Sequence, residues 1–212
     1  IATFLGLALS RLADFCSTLC VLNSVGGRGV VHTFGRQALP FVWDYAETAP
    51  FNEQGANWQA CVDAAVGTIA KLQMSDVGIP SRGSVAALPR EDRSFDCTAT
   101  DPPYYDAVPY SDLSDYFYVW LKRTLTDVHP DVVRTPLTPK SQEIVEQRPH
   151  RLIKKRKDAA YYEEMMGRAF GEVSRVSRQD AIAAVMFAHK STSAWEKLIA
   201  GLLKAGLQVV SS

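Results

Sequence analysis

Apolar side chains recur along much of this chain at spacings of three or four residues, which places them on one face of a helix. The first such stretch carries Leu5, Leu9 and Leu12 and continues to Phe15 and Leu19. The helices predicted from this spacing cover residues 2–23, 37–47 with an interruption near Pro40, 58–72, 112–126, 159–177 and 194–205.

Short apolar stretches between these helices predict strands, whereas residues 78–89 are rich in turn-forming residues and predict a loop. Because strands that are separated by helices usually pair in parallel, the alternation predicts an α/β fold with a doubly wound, mostly parallel sheet. The predicted strands cover residues 30–34, 94–100, 182–188 and 208–210.

The chain has 212 residues, a hydrophobic content of 47% and a formal net charge of zero. This size suffices for one domain with a sizeable core, and the balanced charge does not by itself indicate a nucleic-acid partner. No uninterrupted run of about 18 apolar residues occurs, and the first helical stretch contains Arg11 and Asp14. We therefore expect no membrane span, no signal peptide and a cytoplasmic location.

The cysteines do not have the spacing of a metal site. Cys16 and Cys20 lie four residues apart within a helical pattern, while Cys61 and Cys97 are isolated, so no paired Cys-x-x-Cys arrangement of zinc ligands occurs. We expect packed thiols and no bound metal.

The tetrapeptide Asp101-Pro102-Pro103-Tyr104 directly follows the predicted strand 94–100. Each proline removes a backbone N–H donor and restricts the residue before it to extended geometry, which predicts a stiff turn lined with acceptors. An aromatic amine is a poor nucleophile because its lone pair is delocalised into the ring. The Asp101 carboxylate and the Pro102 carbonyl would each accept one N–H of such an amine and so localise the lone pair on the nitrogen. Tyr104 supplies a flat surface for an unstacked base, and such stacking is worth about 1–3 kcal/mol.

The same tetrapeptide also has a purely structural interpretation. Asp before Pro opens many turns, and Pro-Pro pairs often end strands. Its position favours the functional interpretation, because open α/β sheets bind their ligands where strands end and helices follow. We therefore interpret Asp101, Pro102, Pro103 and Tyr104 as catalytic residues.

The tetrapeptide resembles the catalytic motif of amino methyltransferases, and the chain is similar to a bacterial and archaeal family of adenine-specific DNA methylases that contain a Zn-ribbon. The resemblance covers most of the chain. It implies a Rossmann-like methyltransferase fold, S-adenosylmethionine as the cofactor and methyl donor, and adenine N6 in DNA as the target. The residues that carry it are 33–40, 42–47, 101–123, 187–190 and 194–196.

Relatives also carry an Asp-Pro-Phe-x-Gly-x-Gly type segment that binds the methionine part of the donor, and no such segment occurs in this sequence. The glycines within residues 26–29 precede the predicted strand 30–34, so we interpret them as a helix C-cap and turn. We therefore expect residues 1–212 to be a single partial methyltransferase domain, mainly helical over 1–77 and catalytic α/β over 78–212. We expect this segment alone to be inactive.

Single residues outside the tetrapeptide are also candidates for binding. Ser84 lies where many relatives outside this subgroup carry an acid near the donor's adenine, so the resemblance implies a cofactor contact, although serine is also a common turn residue. Tyr105 would line the base pocket or pack against the next helix. Lys190, like the neighbouring His189, follows the predicted strand 182–188 and would contact substrate or donor, whereas a strand-end histidine with satisfied hydrogen bonds is equally compatible.

Polar residues at the start of the predicted helix 112–126 have a structural interpretation. Ser111 has the side chain of a helix N-cap. Asp112 and Asp115 would be favourable near the positive end of this helix, and we prefer that interpretation to a role in binding.

The most basic run of the chain covers residues 148–157 and contains Arg151, Lys154 and Lys155. In the enzyme class that the chain resembles, the stretch after the catalytic helix often carries target recognition, and basic residues there would neutralise DNA phosphates without reading sequence. A solvated approach to a helix, balanced by nearby acids, is equally compatible with the pattern.

These residues predict a segment of an S-adenosylmethionine-dependent DNA adenine-N6 methyltransferase with DNA as its partner. Two alternatives stay open. The amine could belong to RNA or to cytosine N4, or the chain could be a non-catalytic nucleic-acid-binding scaffold that has lost donor binding.

Overall fold

The computed structural model describes residues 1–23, 29–53, 55–72, 78–104, 108–146, 157–189 and 191–211. Within these ranges the chain is a mixed α/β protein with six helices and two strands. In chain order the elements are α1 Ala2–Phe15, α2 Trp58–Lys71, β1 Phe95–Thr100, α3 Tyr110–Leu125, α4 Pro130–Val133, α5 Ala159–Val176, β2 Ser177–Val185 and α6 Thr192–Lys204.

The chain divides into two compact units. The first consists of Ile1–Pro80 and Tyr110–Pro139, and the second consists of Ser81–Pro109 and Lys140–Ser212. The assignment of both to one partial methyltransferase domain stays a prediction.

In the first unit, α1 packs against both α2 and α3. Ala8 and Leu12 of α1 and Cys61 of α2 are buried in a shared apolar cluster. At Gly6 an added Cβ would meet the side chain of Leu125 at 3.0 Å, so glycine permits the close approach of α1 to α3. The described part of this unit is therefore built around helix contacts.

The helix predicted over residues 2–23 ends earlier, at Phe15. The Asp14 carbonyl accepts both the backbone N–H and the hydroxyl of Thr33, each at 2.8 Å. A carbonyl of the last helical turn is thus satisfied by a residue distant in sequence, which stabilises the end of the helix there.

Two further predictions in this unit are wrong. The strand predicted over 30–34 is only an isolated antiparallel bridge between Leu22 and Val30. The described residues 37–47 contain no helix, and Trp43 is 85% exposed. Without a buried apolar face, helical periodicity alone does not stabilise a helix in water.

The start of α3 also differs from the prediction. Because α3 begins at Tyr110, Ser111 lies inside the helix and is not its N-cap. Asp112 does lie in the first turn, where its charge is favourable. Asp115 has a different role: its Oδ1 accepts the Thr138 N–H at 2.9 Å and the Thr138 hydroxyl at 2.6 Å, which fastens the chain after α4 to α3.

In the second unit, β1 and β2 form a two-stranded parallel sheet, with Cys97 opposite Ile182 and Thr100 opposite Val185. Side chains alternate between the faces of a strand. Val185 accordingly packs against the core, whereas Ile182 is 70% exposed. The α/β class is confirmed, with a parallel strand pair as its described sheet. The buried core, contributed mostly by α5 and α6, is Ile144, Tyr162, Met166, Ala169, Phe170, Leu198 and Leu202.

Two strand predictions in this unit need correction. The strand expected over 182–188 begins at Ser177, immediately after α5, and ends at Val185, because its pairing with β1 determines its extent. The described residues 208–210 form no strand, and Val210 is 90% exposed. The helices α2, α5 and α6 and the strand β1 match their predictions within three residues at each end.

Candidate active site at the end of β1

The tetrapeptide 101–104 directly follows β1, as the sequence predicted. Because β1 and β2 are parallel, the residues after Thr100 and after Val185 leave the sheet at the same edge. The segments 101–104 and 186–189 are therefore neighbours at the carboxyl end of the strand pair.

Hydrogen bonds hold the bend on both sides. The Met186 N–H donates to the Thr100 carbonyl at 2.8 Å. The Tyr162 hydroxyl of α5 donates to the Pro103 carbonyl at 2.7 Å. The bend is thus attached both to the strand next to β1 and to the helix that covers the sheet.

Two acceptors lie between the Thr100 and Pro103 carbonyls, and they are the two that we predicted from the sequence to be catalytic. No described residue donates a hydrogen bond to the Asp101 carboxylate or to the Pro102 carbonyl. Asp101 is exposed, whereas Pro102 is buried. The carboxylate is therefore the acceptor that a ligand reaches first.

Tyr104 belongs to an aromatic cluster formed with the chain after β2. Its ring contacts Phe187 edge-on, with the ring centroids 5.7 Å apart. Phe187 in turn contacts Trp195 edge-on at 5.1 Å and stacks on His189 at 6.2 Å. Such pairs contribute about 0.5–1.5 kcal/mol beyond the area they bury. The structure thus brings the tetrapeptide together with the residues near 187–189 and 194–196 that carry the family resemblance.

Hydrogen bonds hold His189 in one orientation. The Ser191 N–H donates to its Nδ1 at 3.1 Å, and the Trp195 indole N–H donates to its carbonyl at 3.2 Å. Since Nδ1 accepts a hydrogen bond, the neutral ring carries its proton on Nε2. One ring nitrogen of His189 is therefore hydrogen-bonded within the chain, and a contact between His189 and substrate or donor stays a prediction.

Ser84 lies in a tight turn. Its hydroxyl oxygen accepts the Ala86 N–H at 3.3 Å, and its carbonyl accepts the Ala87 N–H at 3.1 Å. This geometry favours the interpretation as a turn residue. A contact between Ser84 and the donor stays a prediction.

An ion-pair network holds the loop before β1 against α5. The Arg175 guanidinium donates to the Leu88 carbonyl at 3.0 Å, to Asp92 at 2.5 Å and to both oxygens of Glu172 at 2.9 Å. Glu172 also accepts the Leu88 N–H at 2.7 Å. The hydrogen bonds from Arg175 and Leu88 lower the pKa of Glu172 from 4.5 to about 2, and those to Glu172 and Asp92 raise the pKa of Arg175.

Sequence reasoning missed both Tyr162 and this network. Tyr162 appears in the sequence only as one residue of a helical pattern, and its partner Pro103 lies 59 residues earlier. Glu172 and Arg175 have the spacing of a helical ion pair, which is a usable signal. Nothing in that spacing indicates the attachment of the loop.

Several predicted binding residues lie outside the described residues. These are Tyr105, Arg151, Lys154, Lys155 and Lys190. The end of the basic run is described: Lys157 is 2% exposed, and its ammonium donates to the carbonyls of Lys140 and Glu143. This lysine therefore stabilises the chain before α5 from a buried position.

The cysteines are only partly packed, as Cys20 and Cys61 are buried but Cys97 is exposed. Burial is the largest cause that raises the pKa of the Cys16 and Cys61 thiols. Among the described residues, no group of three or more His, Cys, Asp and Glu side chains has the arrangement of a metal site. Nor does any described helix combine the length and the apolar character needed to cross a membrane.

Comparison with known proteins gives no relative. No protein-family model matches the chain, and neither a curated protein nor a solved structure matches it significantly. The methylase resemblance therefore stays a prediction from the motifs.

Proposed function

We propose that this chain carries the amine-activating part of an S-adenosylmethionine-dependent methyltransferase that acts on adenine N6 in DNA. The observation that carries the proposal is a pair of acceptors to which no described residue donates, the Asp101 carboxylate and the Pro102 carbonyl, on a bend whose flanking carbonyls are hydrogen-bonded. In this proposal β1 and β2 belong to the sheet of a Rossmann-like methyltransferase fold, and α5 and α6 are two of its helices.

The proposed chemistry concerns the target amine. Donation of one N–H to the Asp101 carboxylate and of the other to the Pro102 carbonyl draws the nitrogen lone pair out of the ring and makes it nucleophilic. Asp101 is already exposed, whereas Pro102 is buried and has to be uncovered when a base binds. The alkylated nitrogen is acidic, so its proton leaves to Asp101 or to water without a specialised base.

Tyr104 would provide the stacking surface for the extruded base. Its edge-on contact with Phe187 fixes the tilt of the ring, so the surface is formed before the base arrives. The choice of DNA and of adenine rests on the family resemblance, to which the basic residues within 148–157 add a source of phosphate contacts.

The described residues do not fit the methyl donor. The Ser84 hydroxyl oxygen is used within its own turn, and no glycine-rich loop follows either described strand. We therefore assign to this part of the chain the activation of the amine and not the binding of S-adenosylmethionine.

Replacement of Asp101 tests the proposal. In the full-length protein, transfer of a radiolabelled methyl group to duplex DNA should fall by about 100-fold or more in Asp101→Ala, because an interaction with the reacting atom is lost. Asp96→Asn is the matched control, since Asp96 is an exposed aspartate of β1 that pairs with Arg178 and does not reach the bend. Undiminished transfer by Asp101→Ala would rule the proposal out.

The same assay separates the alternative substrates. Labelled RNA in place of DNA would assign the enzyme to RNA, and recovery of labelled N4-methylcytosine in nucleoside analysis would move the target to cytosine N4.

The second candidate, a nucleic-acid-binding scaffold without catalysis, is favoured by one observation, the poor fit to the donor. It predicts that the full-length protein binds nucleic acid but that calorimetry detects no binding of S-adenosylmethionine. Measurable donor binding would exclude it.

A further inference from the structure

The hydrogen bond between Tyr162 and the bend comes from the side chain of a core residue, whereas the bond at Thr100 joins two backbone groups. The Tyr162 side chain, which is 5% exposed, reaches from the core to the Pro103 carbonyl at 2.7 Å. The bond is partly buried, and reduced contact with water strengthens its electrostatic attraction. Tyr162 is the one described side chain that attaches the tetrapeptide backbone to a helix.

The hydrogen bond from Tyr162 restricts a backbone angle that the proline rings do not restrict, the ψ angle of Pro103. The proline rings lock the φ angles of Pro102 and Pro103, but they do not set ψ of Pro103. Each peptide unit is planar, so the orientation of the Pro103 carbonyl also sets the orientation of the plane that leads into Tyr104. Holding that carbonyl therefore limits rotation about ψ of Pro103 and constrains the path of the chain from the bend into Tyr104.

Tyr161 provides a contrast within the same helix turn. It is buried to the same degree, at 6% exposed. Its hydroxyl, however, points to the Ser141 and Glu143 carbonyls at 3.4 Å each, in the chain before α5. The two adjacent tyrosines thus have the same chemistry and burial but attach different segments.

We propose that Tyr162 is a positioning residue for amine methylation: its hydroxyl holds the bend so that the Asp101 carboxylate, the Pro102 carbonyl and the Tyr104 ring face the same substrate. This inference rests on the proposed function. It adds a specific role for a core residue that the sequence motif does not contain.

The test compares Tyr162→Phe with Tyr161→Phe in the full-length protein. Each variant loses one buried hydroxyl and keeps its ring. In Tyr162→Phe, kcat for methyl transfer should fall about tenfold, equivalent to about 1.4 kcal/mol, while KM for S-adenosylmethionine is unchanged. In Tyr161→Phe, kcat should stay within about twofold. The melting temperatures of both variants show whether a fall in kcat comes from lower stability and not from a displaced bend.

A spectroscopic readout is independent of activity. With carbonyl-labelled proline and amide-labelled tyrosine, the Pro103–Tyr104 and Pro109–Tyr110 peptide bonds give separate signals, and the second serves as the internal reference. The chemical shift of the Pro103 carbonyl should change in Tyr162→Phe and stay the same in Tyr161→Phe.

Each outcome decides one question. A selective loss of kcat together with a moved Pro103 resonance supports the positioning role. Equal losses in the two variants, or an unchanged kcat in Tyr162→Phe, overturn it. If the wild-type protein transfers no methyl group at all, the proposed function fails, and an unmoved Pro103 resonance would then reject the positioning contact as well.

Discussion

At the scale of single residues, the site is defined by which acceptors are engaged and which are open. The carbonyls of Thr100 and Pro103 are held by Met186 and Tyr162. The acceptor side chain of Asp101 lies between them and is exposed. A carboxylate at a sheet edge on a doubly anchored bend is suited to bind an N–H donor, because the backbone that carries it is fixed before the ligand arrives.

The Tyr104 ring should matter through its surface and not through its hydroxyl. If the protein methylates DNA as proposed, Tyr104→Phe should keep KM for DNA within about threefold, because the stacking surface and the contact with Phe187 remain. We expect Tyr104→Ala to raise KM for DNA about 5- to 150-fold, which corresponds to the loss of about 1–3 kcal/mol of stacking. Steady-state kinetics with a short duplex measures both, and an equal loss in the two variants would contradict the stacking role.

At the scale of elements, the position of β1 depends on its attachment to α5. The Arg93 and Ser94 N–H groups donate to the carbonyls of Arg175 and Val176 at 2.9 and 2.8 Å, so the pairing with the second segment starts before the strand itself. The Arg175 guanidinium holds the preceding loop through Asp92 and the Leu88 carbonyl. The strand that carries the bend is thus fixed at its start by this network and at its end by Tyr162.

The ion pair between Glu172 and Arg175 predicts an acid-sensitive contribution to stability. The pKa of Glu172 lies at about 2 in the folded protein and at 4.5 ordinarily, so the folded state binds fewer protons and gains stability that is fully present above pH 4.5. That contribution is lost as the pH falls from 4.5 towards 2. Glu172→Gln should therefore show a smaller fall in denaturation midpoint across this range.

Glu163→Gln is the matched control, because Glu163 is a carboxylate of the same helix paired with Lys197 at 2.8 Å. Urea denaturation between pH 2 and pH 6 compares the two variants with the wild type. Identical pH profiles for Glu172→Gln and the wild type would contradict the stabilising role of the network.

At the scale of the whole molecule, apolar side chains are exposed in both units. In the first unit, Trp43 is 85% exposed, and in the second, Ile182 and Met186 on the outer face of the strand pair are 70% and 62% exposed. Val185, between them in sequence, packs against the core. The alternation of strand side chains accounts for this contrast.

The double change Ile182→Lys with Met186→Lys should therefore be tolerated. Each exposed position usually changes stability by less than about 0.5 kcal/mol, so the two changes together should shift the melting temperature by about 4 °C or less. Val185→Lys should instead cost roughly 1–3 kcal/mol, because it places a charge against the core at a partly buried position. Thermal unfolding checks both, and a double variant as unstable as Val185→Lys would show that the outer face is covered.

Much of the local structure was determined by the sequence alone. The helices α2 and α5 begin where Asn57 and Asp158 accept the N–H of the residue three positions later, at 2.7 and 3.1 Å. Such caps and the apolar spacing behind them act within a few residues, so a local pattern reveals them. The same holds for β1 and for the bend after it, since proline geometry is local.

Only the tertiary structure decided the features that depend on contacts between distant residues. The end of α1 is stabilised where Thr33 bonds to Asp14, the start of β2 follows from pairing with β1, and the Pro103 carbonyl is held by Tyr162. Each of these joins segments at least 19 residues apart. Their free energy depends on which surfaces meet in the folded chain, so no periodicity in the sequence encodes them.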